Sequence, residues 1–288
     1  MKPIDREQLI HWLFATRALR AAPAAEPFWY TSGTLGPYYI NTHFLYGGED
    51  AANGLLRLID DLAASPLDLP AAVHAAVLRQ YAENPIYRQL MDQLADQLTS
   101  VPGTLISGGE RRDYFFSVGA AHLLGKPHVY LFKDQTAVIC TADGKRTELL
   151  RDNALAGQVV CHVADLVTEA SSYTRSWLPA LRRTGARMPL TLAVVDRNQN
   201  GRQVLEAEGT RLISLVMIDP DLFHQARATG LIDAAQLDQI LRFIADPKAY
   251  MQQFLREHPS FLADQLARGG KNAERARLCL ESGYGSDC

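Results

Sequence analysis

TLISGGERRDYFFSVGAAHLLGKPHVYLFK, residues 104–133, is the stretch of sequence that decides the fold. Its first part, Thr104–Gly109, is a short apolar run that leads into glycines, and residues 114–124 follow with a helical pattern. HVYLFK, His128–Lys133, is a second β-prone run. A strand, a helix of about ten residues and another strand are typical of a parallel sheet with helices on its faces.

The same alternation continues towards the C-terminus. QVVCHVAD, LTLAVVD and RLISLVMID have the apolar character of buried strands, and helical stretches over 172–183 and 201–208 separate them. AVICTADGKRTELL predicts a hairpin, because Asp143-Gly144 is a strong two-residue turn signal between β-prone arms. We therefore expect an α/β protein with a mostly parallel, twisted sheet flanked by helices.

The remaining segments predict additions to this sheet. Residues 5–19 begin at a plausible N-cap, Asp5, and have helical spacing, whereas Phe28–Tyr46 contains two aromatic runs around a turn and suggests a hairpin. Residues 49–99 are predicted to be helical, with breaks at Ser65-Pro66 and Asn84-Pro85. The chain after residue 220 is again helical in pattern.

Composition narrows the class of protein. The 288 residues are 47% hydrophobic, which is enough for a sizeable core, and the formal charge of −3 does not favour nucleic acid or a polybasic membrane anchor as partner. No apolar stretch approaches the length of about 20 residues that a membrane span requires. The four cysteines are far apart, which indicates a reducing compartment, and we expect a cytoplasmic protein.

Polar residues at four strand ends are the candidates for chemistry. In a doubly wound sheet, ligands bind outside the carboxyl ends of the strands. A helix N-terminus after the third of these ends also offers backbone N–H groups to a phosphate. The dinucleotide, metalloprotease and nucleophile-elbow motifs are absent from the sequence, and its eight histidines lack metal-ligand spacing. The four ends are Gly108–Asp113, Lys133-Asp134, Asp165–Ser172 and Asp196-Arg197.

Each candidate also has a structural interpretation. Arg111-Arg112 is equally typical of a solvated ion-pair cluster, and Asp165 of a residue that caps the following turn. Lys133 fits a cation at a strand end, and Tyr38-Tyr39 fits core packing. His162 lies in a buried strand, which favours a core histidine with satisfied hydrogen bonds.

The order of these segments resembles the orotate phosphoribosyltransferases, which have the type I phosphoribosyltransferase fold. The resemblance implies an N-terminal hood segment, a phosphoribosyltransferase-like domain over residues 1–220 with a helical insertion within about 60–90, and a helical extension over 221–288. The stretches that carry it are FWYTSGTLGPYYIN (28–41), SGGERRDYFFSVGAAHLLGKPHVYLFKD (107–134), HVADLVTEASSYTRSWLPALRRTGA (162–186) and LAVVDRNQNGRQVLEAEGTRLISLVMID (192–219).

The resemblance also implies an activity and a set of site residues. The reaction would transfer ribose 5-phosphate from phosphoribosyl diphosphate (PRPP) to orotate or a related base, a step of pyrimidine biosynthesis, with Mg²⁺ on the diphosphate. A homodimer would be the expected assembly. Lys133 and Asp165 would be catalytic, and Asp165 would also hold the metal. Substrate would be bound by Tyr38, Tyr39, Arg112, Thr168, Ser171, Ser172 and Arg197.

Four departures from the family pattern keep a second function open. The acidic pair of the ribose site is Ala164-Asp165 here, and the phosphate loop carries Glu169 and Ala170 in place of small residues and glycine. Thr136 and Val138 align with the lysine and histidine of a mobile basic loop, and Thr31 replaces a family lysine. The alternative is a catalytically impaired or inactive homologue that binds a nucleotide, base or phosphate ligand. Loss of the basic loop also leaves the oligomeric state open, since that loop reaches a neighbouring active site in the family.

Overall fold

The strands of the protein are short at its N-terminus and longer in one central sheet. The computed structural model describes residues 5–23, 26–101 and 103–284. Within these ranges the strands are β1 (Leu19–Ala21), β2 (Phe28–Trp29), β3 (Leu35–Gly36), β4 (Tyr38–Ile40), β5 (Leu105–Gly109), β6 (His128–Leu131), β7 (Ala137–Cys140), β8 (Thr147–Leu149), β9 (Val159–Val167), β10 (Arg187–Asp196) and β11 (Arg211–Met217).

Helices fill most of the remaining described chain. Thr42–Tyr46 is a 3₁₀-helix, and Tyr173–Trp177 is a π-helical turn that runs directly into an α-helix. The α-helices are α1 (Arg6–Ala15), α2 (Glu49–Asp61), α3 (Leu69–Glu83), α4 (Pro85–Thr99), α5 (Tyr114–Leu123), α6 (Leu178–Arg183), α7 (Gly201–Ala207), α8 (Pro220–Ala228), α9 (Ala234–Ala245), α10 (Pro247–Glu257), α11 (Phe261–Arg268) and α12 (Gly270–Glu281).

Seven strands form the central sheet, in the order β11-β10-β9-β5-β6-β7-β8. The five from β11 to β6 are parallel, and β7 and β8 complete the sheet as an antiparallel hairpin. The sheet therefore confirms the predicted mostly parallel α/β fold. Its topological switch point lies between β5 and β9, because the chain leaves β5 for β6 on one side and returns to β9 on the other.

Local sequence signals account for the helix boundaries around this sheet. Asn84 accepts a hydrogen bond from the Tyr87 N–H at 2.9 Å, and Pro85 is the first residue of α4. Proline at this position is favourable because its missing N–H would have no partner there. The predicted helical breaks at Ser65-Pro66 and Asn84-Pro85 are confirmed.

The chain forms two compact units. One contains Thr42–Ile218 and the described residues of Met1–Ala18, and it holds the central sheet. The other contains Leu19–Asn41 and the described residues of Asp219–Cys288. The division predicted at residue 220 placed the hood segment with the first domain. In the structure that segment groups with the C-terminal helices, because Trp29 packs with Phe254 and Cys279 in one apolar cluster.

The hood segment differs in detail from the predicted hairpin. The aromatic runs at 28–30 and 38–40 do not pair with each other: β2 pairs with β3, and β4 pairs antiparallel with β1. Pro37 follows β3 directly, and residues after Asn41 turn into the 3₁₀-helix rather than extending a strand. Two small two-stranded sheets result. Among the described helices, none has both the length and the apolar character of a membrane span.

Candidate functional site

A cavity of about 440 Å³ opens at the carboxyl ends of β5 and β9, at the switch point of the sheet. This is the position at which ligands bind in open α/β sheets, and the volume suits a small molecule. Three segments line it: the residues after β5, the start of the β6–β7 turn, and the loop after β9. The lining residues are Glu110, Arg111, Arg112, Asp113, Lys133, Asp165, Leu166, Val167, Thr168, Glu169, Ala170, Ser171, Ser172, Tyr173 and Trp177.

Asp113 ties the two strand ends at the floor of the cavity. Its carboxylate accepts hydrogen bonds from the Gly109 N–H at 2.9 Å and from the Asp165 N–H at 3.0 Å. His162 Nε2 lies 3.2 Å from the same carboxylate. Hydrogen bonds to a charged group contribute about 1.5–3 kcal/mol each, so this buried side chain stabilises the positions of both strand ends.

His162 connects this carboxylate to the core. The imidazole is fully buried, and its Nδ1 lies 2.9 Å from the Ser107 Oγ, so both ring nitrogens have partners. The prediction of a core histidine with satisfied hydrogen bonds is confirmed. The sequence placed Asp113 at the end of the candidate stretch Gly108–Asp113 but predicted no role for it.

Asp165 lies beside Asp113 and is only 8% exposed. Burial, together with the negative charge of the neighbouring Asp113, raises the pKa of Asp165 well above its usual range, and the positive charge of Arg112 opposes part of the shift. A raised pKa keeps a carboxyl group protonated to higher pH. A protonated Asp165 donates a hydrogen bond to the side chain of Asp113, and its oxygens can still accept hydrogen bonds at the cavity floor.

The β9 loop, Thr168–Ser172, wraps one end of the cavity. Ala170 has the left-handed conformation, with φ of 56°, and its carbonyl accepts the Tyr173 N–H at 3.0 Å as the next helix begins. An L-residue in this conformation costs about 1–2 kcal/mol. The loop therefore has a backbone shape that glycine would adopt more easily, as the family pattern implied for this position.

Gly201 contacts the β9 loop from the other side. The Gly201 N–H donates to the Thr168 carbonyl oxygen at 3.0 Å. A Cβ added at Gly201 would lie 2.5 Å from that oxygen, which is too close for any other residue without a shift of the loop. The first turn of the helix after the loop leaves backbone N–H groups without intrahelical acceptors, and these are suited to bind an anion.

Cationic side chains from two other segments line the same cavity. Arg112 and Lys133 are exposed, and the structure shows no ion pair of either with another described residue. Arg111 is paired with Asp60 across the end of α2. Arg112 and Lys133 therefore carry the positive charge that a ligand in the cavity would meet.

Glu169 also lines the cavity, at the tip of the β9 loop. Its side chain is exposed to solvent, so its charge is screened and carries no cost of burial. Glu110 lies on the opposite wall, where its carboxylate accepts the Lys133 N–H at 3.0 Å. The cavity is thus lined by charges of both signs.

No basic loop separates β6 from β7. The Phe132 N–H donates to the Thr136 carbonyl at 2.9 Å, so the two antiparallel strands are joined by a tight turn, Lys133–Thr136. Val138, which aligns with a basic position of the family, is fully buried in β7 and pairs with Tyr130. The segment is part of the sheet and not a mobile loop over the cavity.

Arg197 follows the end of β10, next to the cavity edge. Its backbone N–H donates to the Val167 carbonyl at 2.8 Å, and its Nε is buried without a hydrogen-bond partner among the described residues. Asp196 does not pair with it: that carboxylate accepts from Arg202 at 3.0 Å and from the Asn198 N–H at 2.8 Å. Arg197 is absent from the described lining of the cavity, so its contact with a ligand stays a prediction.

Tyr38 and Tyr39 belong to the other unit. Tyr38 is buried, with ring centroids 5.2 Å from Phe223 and 5.7 Å from Phe243, which is core packing. Tyr39 is half-buried, and the Arg20 guanidinium lies 5.5 Å from its ring centroid. The predicted substrate-binding role of both residues stays a prediction.

The magnesium ion implied by the family does not have a protein-built site in this cavity. Among the described residues, no group of three or more His, Cys, Asp or Glu side chains is placed to hold a metal. Asp165, the predicted ligand, is buried beside another carboxylate, and its raised pKa favours the neutral form, which is a poor ligand for Mg²⁺. The described residues of the cavity therefore offer no protein-held metal to the reaction.

The sheet order, the switch-point cavity, the left-handed loop after β9 and the cations opposite it define a phosphoribosyltransferase-like α/β protein. Solved structures agree with this class. The protein is similar to the UMP synthase of Leishmania donovani, with a TM-score of 0.56 and 16% identity over 84% of this chain and 42% of that longer chain. It is also similar to the orotate phosphoribosyltransferase of Francisella tularensis, with a TM-score of 0.50 and 10% identity over 81% and 96% of the two chains.

Sequence comparison identifies the family of the protein within this class. It is 31% identical over 195 residues to the orotate phosphoribosyltransferase of Cereibacter sphaeroides strain KD131, covering 64% of this chain and 78% of that one. The corresponding protein of Dinoroseobacter shibae is 28% identical over 154 residues, or 53% of this chain and 65% of that one. No family model matches the chain. The protein belongs to the orotate phosphoribosyltransferase family, which confirms the resemblance and the fold predicted from the sequence.

Proposed function

We propose that the cavity binds the 5′-phosphate, ribose and diphosphate groups of PRPP, and that the protein transfers ribose 5-phosphate to orotate or a related base. The observation that carries the proposal is the meeting of the β9 loop with two unpaired cations, Arg112 and Lys133, around one cavity. The loop supplies N–H groups and hydroxyls to one anionic group. Arg112 and Lys133 lie on a separate wall of the cavity and can bind a second anionic group. A ligand with phosphate groups at both ends requires two such anion-binding regions.

The ribose lies between these anionic ends in the proposed complex. Asp165 and Asp113 share the cavity floor, and Asp113 is already occupied by three hydrogen bonds. Asp165 is therefore the carboxyl group left to bind the ribose hydroxyls. The side chains of Asp165 and Asp113 are hydrogen-bonded to each other, so neutral Asp165 would donate its proton to Asp113 and accept hydrogen bonds from the ribose hydroxyls.

In the proposed reaction, the bond between ribose C1 and the diphosphate oxygen breaks and a bond from C1 to the base nitrogen forms. The diphosphate leaves with the electron pair of the broken bond, positive charge develops on the ribose ring, and the proton of the base nitrogen passes to the departing diphosphate. Arg112 and Lys133 would stabilise the leaving group, and the β9 loop would position the ribose. The magnesium that accompanies PRPP would arrive on the diphosphate.

A second candidate function follows from the β6–β7 turn. Because this turn leads straight into a buried strand, the cations of a mobile loop are not available to the leaving group. The cavity would then bind PRPP, a nucleotide or a related phosphate ligand without efficient transfer. This second candidate shares the cavity and its ligands with the first and differs only in turnover.

One set of measurements separates these outcomes. Orotidine 5′-phosphate formation from PRPP and orotate is measured with the purified protein, and binding of PRPP is measured by thermal shift and calorimetry. We expect Arg112→Ala and Lys133→Ala each to weaken PRPP binding by about tenfold, because each removes a charge-assisted contact of about 1.4 kcal/mol. Arg256→Ala and Lys248→Ala, exposed cations of the other unit, are the matched controls.

Transfer with binding supports the first candidate, and binding without transfer supports the second. A folded protein that binds neither PRPP nor a nucleotide would overturn both. Binding that is unchanged in Arg112→Ala and Lys133→Ala would show that the ligand occupies some other place.

A further inference from the structure

Two histidines from distant parts of the chain meet a main-chain carbonyl at the edge of the sheet, outside the cavity. His74 lies in α3, His122 in the last turn of α5, and Ala142 in the turn between β7 and β8. His74 Nε2 lies 3.2 Å from His122 Nδ1 and 3.2 Å from the Ala142 carbonyl oxygen. His122 Nδ1 lies 3.1 Å from the same oxygen. We name these three groups the histidine corner.

No arrangement of protons satisfies all three contacts of the histidine corner. If both imidazoles carry a hydrogen on the facing nitrogen, the two N–H dipoles point at each other. If only one does, the lone pair of the other nitrogen faces the lone pair of the carbonyl oxygen. If neither does, three lone pairs converge on one point, which is the arrangement of a metal-ligand set.

The spacing of the three atoms suits a transition-metal ion. A triangle with sides of 3.1–3.2 Å has its centre about 1.8 Å from each corner. Zinc bonds to imidazole nitrogen and to oxygen are about 2.0–2.2 Å long, so an ion slightly above the plane reaches all three ligands. The remaining coordination positions would face solvent, because both histidines are only half-buried.

An acidic residue next to the histidine corner also suits a cation. Asp143, next to Ala142, is an exposed acidic residue whose side chain accepts hydrogen bonds from the Thr141 hydroxyl at 2.6 Å and from the Lys145 N–H at 3.2 Å. Its negative charge lies beside the proposed ion.

The turn that supplies the carbonyl is fixed before any ion binds. The Thr141 N–H donates to the Arg146 carbonyl at 3.0 Å, and the Gly144 N–H donates to the Thr141 carbonyl at 2.9 Å. Gly144 has φ of 75°, and a Cβ there would lie 2.6 Å from the His74 ring. Only glycine therefore lets the turn approach His74 closely enough to place the carbonyl at the corner.

We propose that His74, His122 and the Ala142 carbonyl form a binding site for a divalent transition-metal ion of the Zn²⁺, Ni²⁺ and Cu²⁺ class. Imidazole nitrogen suits these ions, whereas Mg²⁺ and Ca²⁺ prefer sets of oxygen ligands. The bound ion joins three elements, α3, α5 and the β7–β8 hairpin, that are far apart in sequence. It therefore clamps the edge of the sheet and stabilises the folded chain, independently of any ligand in the cavity.

The test uses the full chain and Zn²⁺ alone, by calorimetry in a non-chelating buffer at pH 7.5. We expect one Zn²⁺ per chain, and an affinity that falls by about 10- to 100-fold or more in His74→Ala and in His122→Ala, since each removes a direct ligand. His11→Ala and His224→Ala, exposed histidines outside the corner, should bind Zn²⁺ as the unchanged protein does. Zinc at 100 times its dissociation constant should raise Tm by about 5 °C.

Circular dichroism establishes that each variant is folded. If His74→Ala does not fold, His74→Phe keeps an aromatic ring of similar size and removes the ligating nitrogen. X-ray absorption of the zinc-loaded protein should show a first shell of nitrogen and oxygen that contains two imidazoles. Absence of Zn²⁺ binding, or binding that is unchanged when either histidine of the corner is removed from a folded protein, would overturn the proposal.

Discussion

The β9 loop and the β6–β7 turn follow neighbouring parts of the same sheet and line the same cavity, but they have diverged from the family pattern in different ways. The β9 loop has replaced glycine with Ala170 and yet keeps the left-handed backbone at that position. The β6–β7 turn has become a tight connection into a buried strand. A cradle made of backbone N–H groups tolerates side-chain replacement, whereas a loop that works through its lysine and histidine does not.

The largest change in stability should come from a substitution that restores a cation in the segment after the β6–β7 turn. Val138→Lys should destabilise the protein by about 3–5 kcal/mol, because it places an ammonium group without a partner in the fully buried part of β7. Urea unfolding measures the change. Thr136→Lys, at the half-buried turn, is the control and should change stability by less than about 0.5 kcal/mol. Equal tolerance of both substitutions would mean that the segment is a loop after all.

The next largest change in stability should come from Gly201, whose backbone contacts the β9 loop at the Thr168 carbonyl. Gly201→Ala should cost about 1–3 kcal/mol and weaken PRPP binding, because the added Cβ pushes against the Thr168 carbonyl. Gly54→Ala is the matched control: a Cβ there meets no atom within 4 Å, and alanine should stabilise α2 by up to about 1 kcal/mol. A Gly201→Ala protein with unchanged stability and binding would show that the loop does not depend on this contact.

The cavity floor should respond to pH. The folded-state pKa of Asp165 is raised, so its contribution to stability is complete below the unfolded pKa of about 3.9 and is lost as pH rises through the folded value. Asp165→Asn removes this dependence. The free energy of unfolding of Asp165→Asn, relative to the unchanged protein, should therefore increase from pH 4 to pH 8, by about 1.4 kcal/mol for each unit of pKa shift.

Asp61→Asn, at an exposed position of α2, should show no such trend. A relative stability of Asp165→Asn that decreases as pH rises would mean that the carboxylate form is the one the fold favours. Asp165 would then be available to bind a cation, and the magnesium role predicted from the family would regain support.

The smallest change in stability should come from Ala170, the residue of the β9 loop with the left-handed conformation. Ala170→Gly should stabilise the protein by about 0.5–1 kcal/mol, because relief of the strained conformation exceeds the extra freedom of glycine in the unfolded chain. Ala75→Gly, at an exposed position of α3, should have the opposite sign and cost about 1 kcal/mol. Destabilisation by both substitutions would show that Ala170 is not strained by its left-handed conformation. The β9 loop would then not be a backbone shape that the alanine keeps at a cost in stability.

The sequence predicted the parts of this protein that depend on local signals. The strand–helix–strand pattern of residues 104–133, the Asp143-Gly144 turn and the helix break at Asn84-Pro85 all reflect short-range preferences of the backbone, and all are present. The burial of His162 followed from its place in an apolar strand. The prediction for the hood segment was less accurate, because it joined the two aromatic runs in one hairpin, whereas β4 pairs with β1. Pairing between strands depends on long-range packing and not only on the turn between two β-prone runs.

The candidate site also contains parts that the sequence could locate and parts that it could not. The strand ends and the loop after β9 could be located from the sequence, since the carboxyl ends of parallel strands share one edge of the sheet. The role of Asp113 could not, because it depends on donors from three segments that meet only in the folded chain. The histidine corner was missed for the same reason, since its histidines are 48 residues apart and match no spacing pattern.

The sequence by itself determined the class of fold and the family, because apolar periodicity and the order of motifs are properties of the chain read in one dimension. Only the tertiary structure decided that Glu169 is exposed, that Asp165 is buried beside Asp113 and that Val138 is sealed in a strand. Burial and proximity set the free energy of a charge, and both arise from contacts between residues distant in sequence. The charge balance of the cavity is therefore a property of the folded molecule.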